Sequence, residues 1–187
     1  MRTMRPLGRH AGEPVSYVLP QPPGAPDAWT TEAAQQGRVG SQRLLEVAEV
    51  VPPGAVASVL GPAVVVRRRL VLLDGQPVEL ADSYYPLEIA RGTGLAQAAR
   101  IRGGAPTLLA ELGFRPDEVA EQLAVRPGTA AETAALDLPG GSQVVELVRV
   151  TYERDGSPYE VAVMVMRPEG RVFRYRMKVD DDGVSRR

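Results

Sequence analysis

From residue 64 onward the chain alternates between β-branched apolar runs and short polar breaks, the pattern of strands paired through hairpins. The run VVVRRRLVLL from Val64 is followed by Asp74-Gly75, a hairpin turn signal, and by a returning stretch, PVELADSYY. Gln143–Glu153 and Ser157–Met166 repeat the arrangement about Asp155-Gly156. Arg171–Val179 alternates strictly, with Phe173, Tyr175, Met177 and Val179 on one side and Arg174, Arg176 and Lys178 on the other, which predicts a half-buried antiparallel strand. Gln42–Val51 reads as a further strand. Helices are predicted at Trp29–Gln36, stopped by Gly37, at Pro53–Leu60, stopped by Gly61, and at Ala105–Leu112, with Pro106 in its first turn and Gly113 as its stop. A helical turn or two fits Pro86–Gln97, and the capping box Thr129-Ala-Ala-Glu132 opens a helix that ends near Leu136. Phe114–Val125 has the length of a helix, but the prolines on both sides suit a strand. Residues 1–28 are dense in Pro and Gly and read as an extended leader or linker. The resulting division is a leader over 1–41, a folded domain over 42–179 and a frayed tail over 180–187.

The two hairpins share the pattern D-G-x-P-x-E, at Asp74–Glu79 and at Asp155–Glu160. Either this marks an internal duplication, with the two predicted helices between the copies, or it is common hairpin chemistry met twice. Turn length decides which side chains share a face. A three-residue loop with Gly75 left-handed groups Val66, Leu70, Leu72, Val78 and Leu80 on an apolar face. It leaves Arg67, Arg69, Val71, Pro77, Glu79, Ala81, Ser83 and Tyr85 on the other. The same register in the second hairpin places Glu160 with Ala162, Met164, Met166, Val148, Val150 and Tyr152, opposite Val145, Leu147, Tyr159, Val161, Val163 and Val165.

Composition narrows the chemistry. The 187 residues hold one domain and a modest extra segment, and 44% hydrophobic content is enough to bury a core. Lys+Arg (22) and Asp+Glu (23) nearly cancel, which argues against a polybasic nucleic-acid binder. Cys is absent and the one His, His10, lies in the leader, which excludes disulfides, thiolate catalysis, His-dependent triads and multi-His or Cys metal sites in the folded part. No metal or cofactor is expected. All but one of the basic residues are Arg, so any anion would be recognised by guanidinium groups, which favour planar bidentate partners. No apolar run reaches transmembrane length and no secretory signal opens the chain, so the expectation is a soluble cytoplasmic protein with no membrane partner.

Glu160 is an acid among Val, Ala and Met positions. A carboxylate there needs either a neighbouring Arg, a wet edge strand or a ligand to offset desolvation. Arg67-Arg68-Arg69 has two readings, an anion receptor for a carboxylate or phosphate, or a solvated strand edge; a nucleic-acid patch is weaker, with no interleaved aromatics. Arg102-Gly103-Gly104 before the Ala105 helix could turn backbone N–H groups and Thr107 toward an anion.

Taken together, the stretch from about Gln42 to Val179 resembles the UTRA domain, the effector-binding domain of HutC-subfamily GntR-type regulators. The resemblance is carried by RRRLVLLDGQPVELADSYYP, APTLLAELG, EQLAVRPGTAAETAALDLPGG and VVELVRVTYERDGSPYEVAVMVM, in that order. It implies a chorismate-lyase-like α+β fold with a central antiparallel sheet and flanking helices, a small-molecule effector pocket on the sheet, and homodimerisation. It also implies effector contacts from Arg69 in a pattern like R-x-R-x-x-D-G, where Val71 takes the second Arg position, from an acid on the return strand (Glu79 or Asp82 here), from Thr107, and from Glu160. Met166 stands where an aromatic is common. With Arg67, Ser83, Tyr85 and Arg102, these make up the expected ligand-binding set.

The residues before 42 lack the successive amphipathic helices of a helix-turn-helix, so no direct DNA binding is expected from this chain alone. The chain would be a stand-alone sensor, a partner that dimerises with a related full-length regulator, or a fragment of one. The expected function is metabolite sensing without chemistry. The alternatives are a chorismate-lyase-like enzyme, for which Glu160 would be the one well-placed acid–base group, and a pure dimerisation module.

Overall fold

The computed structural model of the chain describes residues 7–10 and 16–174. Its strands are β1 (Leu7–His10), β2 (Gly40–Val50), β3 (Val64–Leu73), β4 (Gln76–Pro86), β5 (Glu118–Pro127), β6 (Gln143–Tyr152), β7 (Pro158–Met166) and β8 (Arg171–Arg174). The helices are α1 (Ala28–Gln35), α2 (Gly54–Leu60), α3 (Leu87–Ala90), α4 (Ala105–Glu111) and α5 (Ala130–Ala135). Strands β2 to β7 form one antiparallel sheet in the order β2-β3-β4-β7-β6-β5, and β1 lies parallel to β8. The two D-G hairpins therefore meet through their return strands, β4 and β7, at the centre of the sheet. The Phe114–Val125 stretch is irregular up to residue 117 and enters the edge strand β5 from Glu118. Positions 175–179 of the strand expected to run to Val179, the tail at 180–187, and leader residues 1–6 and 11–15 lie outside the described residues.

The shared D-G-x-P-x-E pattern builds the same device twice. In each hairpin the residue after the Pro is an extra one on the return strand. Val71 pairs Glu79 while Leu72 pairs Pro77, and Thr151 pairs Glu160 while Tyr152 pairs Pro158. Val78 and Tyr159 are thus β-bulges, a position where the neighbouring Pro is tolerated because the ladder is already interrupted. The bulges turn both Glu79 and Glu160 to the same face of the sheet.

The turns themselves differ, and this corrects the expected registers. Leu73 pairs Gln76 across a two-residue loop in which Asp74 (φ 51°) and Gly75 (φ 79°) are both left-handed, the geometry that matches strand twist. The first hairpin's loop is one residue shorter than expected and its bulge restores the register beyond it, so Arg67, Arg69, Val71, Glu79, Ala81, Ser83 and Tyr85 do share a face. Pro77 and Val78 exchange sides relative to the expectation. The second hairpin has a three-residue loop, closed by Glu153 N–H donating to Ser157 O, and then the bulge in addition. The extra step moves every residue of β6 to the other side. Val145, Leu147, Arg149 and Thr151 accompany Glu160, Ala162, Met164 and Met166, while Val148 and Val150 accompany Val161 and Val163.

Helices cover both faces, which is why β3 and β7 read as nearly continuous apolar runs. On one face Val64, Val66, Tyr84 and Val161 pack under Val56 of α2, and Leu136 after α5 packs on Val144 and Val165. The other face is covered at one end by Ala90, Leu95 and Leu109 against Tyr85 and Tyr159, and at the other by Trp29 and Ala33 against Val71, Leu73 and Met164. The helix expected at Trp29–Gln36 forms as α1, and residues 16–28, expected as part of an extended leader, are packed with it in this second group. Asp27 caps α1 by accepting from Thr30 N–H at 3.0 Å, Trp29 Nε1 donates to Leu72 O at 2.9 Å, and both Val18 and Trp29 are buried. Its Pro and Gly content describes the bends that lay it against the sheet. Gly40, where β2 begins, leaves the room this needs: a Cβ there would stand 2.7 Å from Ala33 Cβ and 2.9 Å from Trp29 Nε1.

Candidate functional site

Between the two helical clusters on the second face the sheet is left open, forming a cavity of about 390 Å3. Register sets its floor in rows running across β3, β4, β7 and β6: Arg67, Ser83, Ala162 and Arg149 in one, and Arg69, Ala81, Met164 and Leu147 in the next. Tyr85 and Glu160 lie beyond the first row, and Glu79 and Met166 beyond the second. The alanines at the centre keep the floor low, while longer polar side chains stand around it. The N-terminal segment supplies a wall, through Tyr17, Leu19, Gln21 and Asp27–Thr30.

Seven of the nine expected residues line this cavity: Arg67, Arg69, Glu79, Ser83, Tyr85, Glu160 and Met166. Arg102 and Thr107 do not; they border a shallower depression beside it. Arg102 is exposed, and Thr107 Oγ1 accepts from Gln21 N–H at 3.0 Å and donates to Gly103 O at 2.9 Å, tying the N-terminal segment to the turn before α4.

Arg67 is present but occupied. Buried to 4% exposure, it donates from Nη1 to the carbonyls of Gly94, Leu95 and Gln97 and from Nη2 to that of Ala99, at 2.7–3.2 Å. It gathers the 94–99 loop into one position, and the orphan carbonyls of that irregular segment find their donors there. Arg68 points to the other face, between Glu46 and Asp82, as alternation requires.

Arg69 is differently placed. Nη1 donates to Gln42 Oε1 at 3.1 Å and Nη2 to Ser83 Oγ at 2.8 Å, while Nε is buried with no hydrogen-bond partner. Ser83 also neighbours Glu160, which accepts from Tyr85 Oη at 2.8 Å. Burial raises the Glu160 pKa above the ordinary carboxylate value, against the opposing pull of the Tyr85 hydrogen bond, the Arg69 charge and Ser83. The Tyr85 phenol is raised well above its usual value, first by burial and then by the Glu160 charge.

Arg149 and Arg171 are among the lining residues that escaped the sequence reading. Arg149, 5% exposed, donates from Nε to Glu121 Oε1 of β5 at 2.8 Å and leaves Nη2 without a partner. Arg171 donates from Nη2 to Val78 O and Glu79 Oε2, both at 3.3 Å, and so engages the Glu expected as a ligand contact. The available signal for Arg149 was the one that singled out Glu160, a charged residue within an apolar strand; the register error placed it on the wrong face. Among the described residues no cluster of His, Cys, Asp and Glu could hold a metal ion, and no helix is long and apolar enough to cross a membrane.

Residues 35–170 match the model of the UTRA domain. Over 146 residues the chain is 33% identical to an HTH-type transcriptional regulator of Streptomyces coelicolor, an overlap of 74% of this chain and 54% of that protein. The chain thus spans about half the length of the curated relative it matches. PhnF from Mycobacterium smegmatis has the same fold, with a TM-score of 0.71 at 21% identity over 84% of this chain and 71% of that one. The effector domain of PhnF, solved by itself, gives 0.69 at 21% identity over 86% of this chain and 99% of that one. The six-stranded antiparallel sheet with its few helices is the chorismate-lyase-like α+β fold of GntR-family effector domains, and the chain belongs to the UTRA domain family.

Proposed function

We propose that the chain is the small-molecule effector-binding and dimerisation domain of a GntR/HutC-type transcriptional regulator, acting in the cytoplasm and sensing a metabolite without changing it. The observation that carries this reading is the Arg69–Ser83 hydrogen bond beside the buried Tyr85–Glu160 pair at a cavity of about 390 Å3, with the Arg69 Nε hydrogen left unmatched. Burying a carboxylate and an incomplete guanidinium costs stability that a well-packed apolar floor would not, and a ligand with an acidic oxygen and a hydroxyl or amine would complete both. In the proposed site Arg69, Ser83, Tyr85, Glu79, Glu160 and Met166 touch the effector. Arg67 fixes the neighbouring loop, and Arg102 and Thr107 act from the rim. Effector bound preferentially to one arrangement of a homodimer, or of a heterodimer with a related regulator, shifts DNA affinity by linkage.

The experiment is a thermal-shift screen of the whole chain against sugar phosphates, carboxylates and lipophilic metabolites. A true effector at about one hundred times its Kd adds about 2.7 kcal/mol of stability. The gain is lost in Arg69→Ala and Glu160→Gln, which stay folded. A screen without a stabilising compound at millimolar concentrations overturns the sensing role and leaves a dimerisation module.

A further inference from the structure

We infer that Arg149 is a second anion-contacting residue of the cavity, and that the molecule bound there carries two acidic groups, one at each flank of an apolar body. The inference rests on the effector-binding reading above and deepens it by naming the ligand's chemistry.

Arg149 is only partly paired. Its Nε is committed to Glu121, so the ion pair pins the guanidinium to the edge strand and fixes its plane. Its Nη2 is buried, makes no hydrogen bond, and belongs to a side chain that lines the cavity. A guanidinium presents its donors in a rigid fork, and a second carboxylate on the remaining edge is the partner that this geometry favours. Arg69 repeats the situation on the opposite flank, with Nε unmatched. The two arginines stand on β6 and β3, three strand spacings apart, which is about 14 Å between backbones. Between them the floor is Ala81, Ala162 and Met164, all nearly fully buried, and the one hydroxyl among them, Ser83 Oγ, already accepts from Arg69. Unmatched donors at both flanks and apolar surface in the middle fit a ligand with acid, hydrocarbon and acid in that order. A single anionic group would satisfy one flank only.

The test uses isothermal titration of the whole chain with the α,ω-dicarboxylates from succinate to azelate and with monocarboxylates of matching length. We expect one dicarboxylate length to bind at least about tenfold more tightly than its monocarboxylate, a difference of about 1.4 kcal/mol. The double variant Arg149→Gln/Glu121→Gln removes both charges together and spares the fold a carboxylate stripped of its partner. In it the preference for the dicarboxylate should disappear while monocarboxylate binding persists. Equal affinity for both series in the unmodified chain overturns the inference without recourse to any variant. So does retention of the preference in the double variant, or failure of every dicarboxylate to bind. If the dicarboxylates fail but a compound of the broader screen binds, the sensing role stands and the two-anion ligand does not.

Discussion

Replacing Arg67 by methionine preserves the length of the side chain and removes the guanidinium that holds the 94–99 loop. Four hydrogen bonds of 2.7–3.2 Å go with it, each from a charged donor to a backbone carbonyl. Charge-assisted bonds contribute about 1.5–3 kcal/mol apiece in mutational series, so a simple sum would be about 6–12 kcal/mol. The loop lies partly at the surface and its neutral carbonyls can turn to water once released, which brings the expectation down to about 3–5 kcal/mol. For a domain of this size that corresponds to a Tm lower by about 10 °C. Arg69→Met, two positions along the same strand, forfeits bonds to two side chains and removes an unmatched N–H, so its cost should be about 1 kcal/mol or less. Urea unfolding followed by the fluorescence of the single tryptophan, with far-UV circular dichroism as a second probe, measures both. A loss in Arg67→Met no larger than that in Arg69→Met would refute the division between a structural and a ligand-facing arginine.

Glu160→Gln should stabilise the unliganded protein near neutral pH. Burial raises the folded-state pKa, so the wild type binds more protons folded than unfolded and loses stability as pH rises through that range. Parallel urea titrations from pH 4 to 8 should show the two proteins converging at the acid end; a variant less stable at every pH sinks this account. Glu132→Gln should behave oppositely. Its carboxylate is held down to about 2, chiefly by the Arg126 hydrogen bond, so it stabilises the fold above its ordinary value of 4.5 and that contribution fades as pH falls toward 2. After allowance for solvent screening the loss at pH 7 should be about 1 kcal/mol, and an equal loss at pH 2 would contradict it. Gly40→Ala should cost about 1–3 kcal/mol by forcing Trp29 and Ala33 off β2, with a red shift in tryptophan emission; an unchanged spectrum would place the strain elsewhere.

The order of strands and helices was legible in the chain because alternation, capping and turn residues agree locally. Thr129 and Glu132 form the capping box their spacing suggests, and the Pro-flanked stretch before Gly128 is a strand. Face assignment was legible only in the first hairpin. There a shortened turn and a bulge cancel, whereas in the second they do not, and a slip of one residue hid Arg149. Nothing in D-G-x-P distinguishes Val78 or Tyr159 as an inserted residue until pairing partners are known. Two chemically similar arginines, Arg67 and Arg69, likewise could not be separated in sequence, because the carbonyls that occupy Arg67 come from a loop about thirty residues away. The packing of residues 16–36 was obscured for another reason: Pro and Gly report that a segment bends, not what it bends onto.

The wall that this segment gives the cavity has a thermodynamic consequence. Residues 17–34 lie before the stretch that matches the domain family, yet they enclose the same space as Arg69 and Glu160. Any molecule that touches both the sheet and this wall gains affinity from the docked segment, and the segment gains the same free energy in remaining docked. For such a molecule, occupancy and the anchoring of Trp29 in its socket would be one equilibrium read from two sides. A version of the chain begun at residue 35 would keep the whole sheet and lose this reciprocity, binding more weakly with no direct change to Arg69, Arg149 or Glu160.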